Sequence, residues 1–385
     1  MKDKMNKKAR VIAFYLPQFH PIPENDLWWG KGFTEWTNVA KAKPQFRGHV
    51  QPKIPGDLGF YDLRLPEVRK AQADMARAAG VEGFCYWHYW FGNGKRLLER
   101  PFNEVLKSGE PDFPFCLGWA NHSWSNKTWQ KNSTFQKDTM FMEQKYGDEQ
   151  DYIKHFYMVL PAFKDKRYIT VDNKPLFYIF DPFSFPDLLH FTQLWRKLAR
   201  ENGLDGIHFV GKAASVGRFD KGINHDYLSD ARQRYDSVLS QGLDAVNSVN
   251  LRRAEIIAVG KYRKMFERLL NKLVPSSKVE KYDYAKITEH LLTKEDKDEN
   301  IYPTVVPRWD KTPRLGKQAY VYTGSTPELF EKSVRKAVDA VKMKAPEHRI
   351  IFLQAWNEWG EGNFMEPDLE WGNKYCDALA EALFE

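Results

Sequence analysis

Only three cysteines, Cys85, Cys116 and Cys376, occur in 385 residues. They are too few and too scattered for a disulfide framework or a cysteine-rich zinc site, and the two inside apolar runs read as small buried hydrophobes. No His-Glu-x-x-His occurs, and no two histidines sit closely spaced on one helix face, so no metal is expected. Nucleotide cofactors are unexpected too. There is no Walker A lysine, and Gly92-Asn93-Gly94-Lys95 lacks the third glycine of a dinucleotide loop. A Gly-x-Ser-x-Gly nucleophile elbow is also missing. Asp296-Lys297-Asp298 mimics the Asp-x-Asp of metal-dependent sugar transferases, but it lies in the charge run Lys294-Glu295-Asp296-Lys297-Asp298-Glu299 and reads as a solvated loop. No apolar run is long enough to span a membrane, and the charged start, Met1 to Arg10, has no signal-peptide core. Those absences point to the cytoplasm.

What the chain has in excess is aromatic surface: 15% of residues, including 13 Trp. Sugar-binding clefts use such surface, because the C–H faces of pyranose rings stack on flat rings, whereas a core alone rarely needs so many indoles. The hydrophobic share of 42% and charged share of 28% describe an ordinary globular chain. The net charge of +7 comes largely from the N-terminal lysines and residues 252 to 281, and does not by itself imply a nucleic-acid partner. Within residues 252–274 a basic amphipathic helix is expected, carrying Ile256, Ile257, Tyr262, Met265, Phe266, Leu269 and Leu270. Its apolar face would pack on the body of the protein, and its basic face could meet an anionic membrane.

Eight strand-like runs recur: Val11–Leu16, Gly83–Tyr89, Phe113–Trp119, Leu176–Phe180, Ile207–Lys212, Ala245–Val249, Thr304–Trp309 and Ile350–Trp356. Helical patterns lie between them at Pro66–Ala79, Asp151–Phe163, Asp187–Glu201, Pro327–Lys342 and Lys374–Phe384. Strands alternating with helices imply a parallel sheet wrapped by helices, and eight repeats favour closure into a single (β/α)₈ barrel with long βα loops. No linker divides residues 1–385, which read as one catalytic domain. Residues 1–9 are expected as a disordered basic tail, and 250–301 as a helical insertion between strands six and seven.

Active sites in such barrels form at the strand C-termini. Read there, the candidate substrate-binding residues are Tyr15, Gln18 and His20 after strand one, and Trp28, Trp29 and Trp36 in the long loop that follows. Strand two adds Trp87, His88, Tyr89 and Trp90, and strand three adds Trp119, Asn121, His122 and Trp124. Lys212, Trp309, Asp310, Trp356, Asn357, Trp359 and Glu366 complete the set. Glu358 and Glu361 are the catalytic candidates. Glycosidic cleavage needs one protonated and one ionised carboxyl group, and a shared, partly desolvated pocket splits the pKa values of a close pair. Gly360 and Gly362 permit the sharp turn that would aim both inward.

Ala13-Phe14-Tyr15-Leu16-Pro17-Gln18-Phe19-His20, Gly30-Lys31-Gly32-Phe33-Thr34-Glu35-Trp36-Thr37-Asn38-Val39, Gly83-Phe84-Cys85-Tyr86-Trp87-His88-Tyr89-Trp90, Trp119-Ala120-Asn121-His122 and Trp356-Asn357-Glu358-Trp359-Gly360-Glu361-Gly362 resemble the WbsX family of polysaccharide-biosynthesis glycosyltransferases. More distantly the chain is similar to glycoside hydrolase family 99. The resemblance covers nearly the whole chain. It implies a (β/α)₈ barrel acting with retention on α-linked, mannose-like residues of an oligosaccharide or surface polysaccharide. It also implies that Glu358 draws the proton from the sugar 2-hydroxyl, giving a 1,2-anhydro sugar, while Glu361 protonates the leaving group. The paired carboxylates suit a hydrolase or transglycosidase. The family label suggests a glycosyltransferase instead, and a non-catalytic glycan-binding barrel would keep the tryptophans without needing both glutamates.

Overall fold

The computed structural model describes residues 7–125, 139–214, 231–260 and 279–384. Eight strands form a closed parallel ring: β1 (Arg10–Tyr15), β2 (Val81–Trp90), β3 (Phe115–Trp119), β4 (Lys174–Ile179), β5 (His208–Ala213), β6 (Ala245–Ser248), β7 (Ile301–Val305) and β8 (Ile350–Leu353). Each pairs in parallel with the next, and β1 closes the ring by pairing Ala13 with Leu353 of β8 and with Phe84 of β2. The chain is thus a (β/α)₈ TIM barrel.

The outer helices include α1 (Pro66–Ala78), α2 (Arg100–Ser108), α3 (Glu149–Phe163), α4 (Leu188–Glu201), α5 (Ala231–Leu239), α6 (Tyr284–Glu289), α7 (Pro327–Val341) and α8 (Lys374–Leu383). Their starts follow local chemistry. Pro66 occupies the first turn of α1, where no N–H is needed, and the Thr326 side chain caps α7 by accepting from Leu329 N–H. Inside the ring, Phe14 stacks between Trp87 (4.7 Å between centroids) and Phe352 (5.2 Å). The barrel centre is therefore packed with side chains below the C-terminal rim of the ring.

Several expectations shift. Strand seven ends at Val305, not Trp309. The chain leaves the ring there, past Pro307, which has no N–H for a ladder. Trp309–Asp310 instead pairs antiparallel with Tyr320–Thr323, which also runs parallel to Glu280–Asp283, making a separate three-stranded sheet. Strand eight stops at Leu353 rather than Trp356.

The run Lys294–Glu299 is not simply solvated: Asp296 is fully buried and accepts a hydrogen bond from the Ser248 hydroxyl. The tail expected over 1–9 is ordered at its end, where Ala9 is buried and Lys8 N–H donates to the Leu383 carbonyl. Residues 1–6 lie outside the described residues. So do 261–274 of the expected basic helix, whose described part is Leu251–Val259, with Leu251 and Ala254 buried and Arg252 paired to Glu255. No described helix is long and apolar enough to cross a membrane.

Candidate active site

A cavity of about 350 Å³ opens at the C-terminal end of the ring. Phe14, Trp87 and Tyr178 form its floor, and Tyr89, His122, Trp124, Phe180, Lys212, Trp309 and Tyr320 are on its walls. Glu358 and Glu361 line it as well.

The turn that carries the two glutamates is tightly held. Trp356 N–H donates to the Phe14 carbonyl at 2.9 Å. Asn357 bridges to β1, accepting from Leu16 N–H at 2.7 Å and donating to the Leu16 carbonyl at 3.0 Å. Trp359–Glu361 then make one 3₁₀ turn that ends at Gly362 with φ +62°, where a Cβ would fall 2.8 Å from the Asp310 carbonyl. Gly360 leaves room of a different kind: a Cβ there would collide with Glu35 Oε1 and crowd Arg314 Nε.

One guanidinium joins three carboxyl groups. Arg314 donates from Nε to Glu35 Oε1 (2.9 Å), from Nη1 to Glu361 Oε1 (2.8 Å) and from Nη2 to Glu358 Oε1 (2.8 Å). Lys311 Nζ lies 2.8 Å from Glu361 Oε2. The two glutamates are thereby pushed apart in acidity. Burial, reinforced by Glu361 and Glu35, outweighs Arg314 and raises Glu358 to about 8. Burial alone would raise Glu361 too, but Lys311 and Arg314 together hold it below its ordinary value. Of the two, Glu358 holds a proton the more tightly and Glu361 ionises the more readily. This is the reverse of the division that the family 99 resemblance implies. His122, desolvated and close to Lys212, is pushed down to about 4 and is neutral.

Of the expected substrate-binding residues, Gln18, Trp87, Tyr89, His122, Trp124, Lys212 and Trp309 line this cavity with the two glutamates. The rest do not. Along β2, side chains alternate faces, so Trp87 and Tyr89 reach the cavity while His88 and Trp90 turn outward. There His88 Nε2 meets His155 Nε2 at 2.9 Å, and Trp90 Nε1 donates to Asp151. Tyr15 likewise faces away and donates to Gln72, and Trp119 donates to the Trp90 carbonyl. Asn121 ties the loops after β3 and β4 through the backbone of Asp181. His20, Trp36, Trp356 and Trp359 are buried, with Trp36 against Trp359 at 5.3 Å. Asp310 accepts from His49, Gln51 and Thr312, and Glu366 accepts from Tyr61, Gln72 and Trp359. Trp28 and Trp29 sit half-buried outside the cavity, against Trp124 and Phe141. Much of the indole content is therefore core, contrary to the compositional expectation.

Sequence reasoning missed Glu35, Lys311 and Arg314. Glu35 lies in the run Gly32-Phe33-Thr34-Glu35-Trp36, at the start of a short helix far along the chain from the two glutamates, where nothing local marks it as part of the site. Among the described residues, no cluster of His, Cys, Asp or Glu could hold a metal ion.

A family model described as "Glycosyltransferase WbsX" matches residues 11–379. Proteins called WxcX from two strains of Xanthomonas campestris pv. campestris are 35% identical over 378 residues, which is 97% of this chain and 50% of theirs. The chain thus spans about half the length of these curated relatives. Among solved structures, a "Glycoside hydrolase-like protein" superposes with a TM-score of 0.60 at 16% identity, covering 99% of this chain and 96% of that one. A GH99 endo-alpha-mannosidase from Bacteroides thetaiotaomicron superposes with a TM-score of 0.53 at 14% identity, covering 97% and 95%. At those identities the likeness is one of fold.

Proposed function

Because the chain belongs to the WbsX glycosyltransferase family of carbohydrate-active enzymes, we propose that it cleaves or transfers an α-linked, mannose-like residue of an oligosaccharide or surface polysaccharide with retention. The observation that carries this reading is the carboxyl pair that shares the Arg314 guanidinium on an aromatic-lined cavity, with burial pushing Glu358 towards holding a proton while Lys311 and Arg314 hold Glu361 towards its ionised form. That is the resting state such a reaction needs. The sugar is suggested by the fold neighbour titled an endo-alpha-mannosidase.

In this reading Glu358 gives its proton to the glycosidic oxygen as the bond from that oxygen to the anomeric carbon breaks. The 2-hydroxyl oxygen attacks the same carbon while its proton passes to Glu361, giving a 1,2-anhydro sugar. An incoming hydroxyl then opens the ring as Glu358 takes its proton and Glu361 returns one to O2. Arg314 and Lys311 stabilise Glu361 in its ionised form, before it takes the 2-hydroxyl proton and again once it has returned it. The second reading, transfer to a sugar acceptor in polysaccharide assembly, is favoured by the family's name and differs only in excluding water at the second step.

Incubation with a panel of α-mannosides and bacterial surface glycans, with products followed by mass spectrometry, separates the two. Free reducing sugar is expected from hydrolysis, and lengthened glycan from transfer. A panel left untouched by folded protein, with tight glycan binding retained, would make the barrel a binding module.

A further inference from the structure

The Arg314 guanidinium serves a different carboxyl group from each of its three nitrogens. Left alone beside two carboxylates, an arginine favours a side-on fork, with two parallel N–H bonds to one partner. Here the Nε position is already taken by Glu35, so neither Glu358 nor Glu361 can use that edge, and each is left with one Nη.

Glu35 is well fixed for this task. It has no solvent exposure and opens the short helix Glu35–Lys41. Its own N–H donates to the Gln18 carbonyl at 3.1 Å. Its neighbour Trp36 is pinned by a bond from Nε1 to the Tyr61 carbonyl and by packing on Trp359. Glu35 Oε2 is buried with no hydrogen-bond partner among the described residues, a cost with no evident structural return. Gly360, between the two glutamates, is the gap through which Glu35 reaches the arginine.

Taking Glu358 and Glu361 as the reacting pair, we propose that Glu35 is a positioning residue that orients Arg314 so that its two Nη groups are divided between them. It touches no substrate in this role. It acts through the arginine, and its own negative charge helps Glu358 retain the proton. Other groups also act on Glu358. Arg314 and Lys311 approach from the loop after β7, Glu361 from its own turn, and Tyr89 from the end of β2.

The test needs no substrate. Protein labelled with ¹³C at the glutamate carboxyls is titrated by NMR, and the Glu358 signal is assigned by its loss in Glu358→Gln. The wild type should show a carboxyl titrating near 8. In Glu35→Gln it should titrate lower by about one pH unit, the size of a lost neighbouring charge. Gly360→Ala, whose Cβ would press on both Glu35 Oε1 and Arg314 Nε and so part the two while keeping both charges, should also move it and stands in if Glu35→Gln does not fold. An unmoved midpoint in a folded variant overturns the positioning role while leaving the catalytic reading intact. Absence of any carboxyl titrating near 8 in the wild type would instead remove the catalytic reading's division of roles.

Discussion

Glu358 and Glu366 stand on the same loop, and burial pushes both towards holding a proton, Glu358 to about 8 and Glu366 to about 7. Their surroundings differ in kind. Glu366 is wholly enclosed and accepts from three neutral donors: Trp359 Nε1 at 2.6 Å, Gln72 Nε2 at 2.6 Å and the Tyr61 hydroxyl at 2.8 Å. Glu358 opens on the cavity and shares a guanidinium with an ionised partner. A carboxyl group ringed by fixed neutral dipoles braces a turn. One that faces empty space beside a second, oppositely poised carboxyl can move protons. Raised pKa values alone do not tell the two apart, but access and pairing do.

The sharpest break of this comparison is kinetic. Glu361→Gln should lower kcat by about three orders of magnitude or more on all glycosides, since the ionised carboxylate is needed whatever the leaving group. Glu358→Gln should cost about 10²–10⁴ on a natural glycoside and much less on an aryl glycoside that departs without a proton. Interchanged outcomes for the two variants would restore the division implied by family 99.

Glu366→Ala should act on stability instead. It leaves three buried donors without an acceptor, so denaturant titration should give a loss of about 2–5 kcal/mol while the folded fraction keeps its specific activity. A collapse of kcat at unchanged stability would move Glu366 into the chemistry. Next in size is the pH response. Because Glu358 works in its protonated form, kcat/KM should fall as pH rises through about 8, and a profile flat to pH 9.5 would deny it that role. Trp124→Ala, which removes an indole from the cavity wall, should raise KM about three- to tenfold with little change in kcat. The steady-state constants decide whether that wall binds sugar at all.

The barrel could be read from the chain because apolar strand runs and helical periods are local signals, and β1 to β6 lie close to where those runs place them. Strand seven lies at Ile301–Val305 and not over the expected Thr304–Trp309, because Pro307 interrupts that run and Trp309–Asp310 beyond it joins a separate sheet. Glu358 and Glu361 were visible as two acids and two glycines among tryptophans at a strand end. The aromatic neighbours were only half legible. Proximity in sequence put His88 and Trp90 beside Trp87 and Tyr89, but the two-residue period of a strand sends them to opposite sides. Lys311, Arg314 and Glu35 left no local trace, because loops after β7 and β1 meet only once the ring has closed.

Lys311 and Arg314 do not sit on the ring itself. They follow the short strand Trp309–Asp310, which is bonded to Tyr320–Thr323 and through it to Glu280–Asp283. Glu361 is thus held towards its ionised form from an annex attached to the barrel, while the barrel supplies the floor and the carboxyls. Such a division lets heritable variation act on the two parts separately. Relatives that work in more acidic or more alkaline surroundings are expected to differ in the annex and to agree in the ring, and exchanging residues 307–323 between two of them should carry the pH optimum along with the exchanged piece.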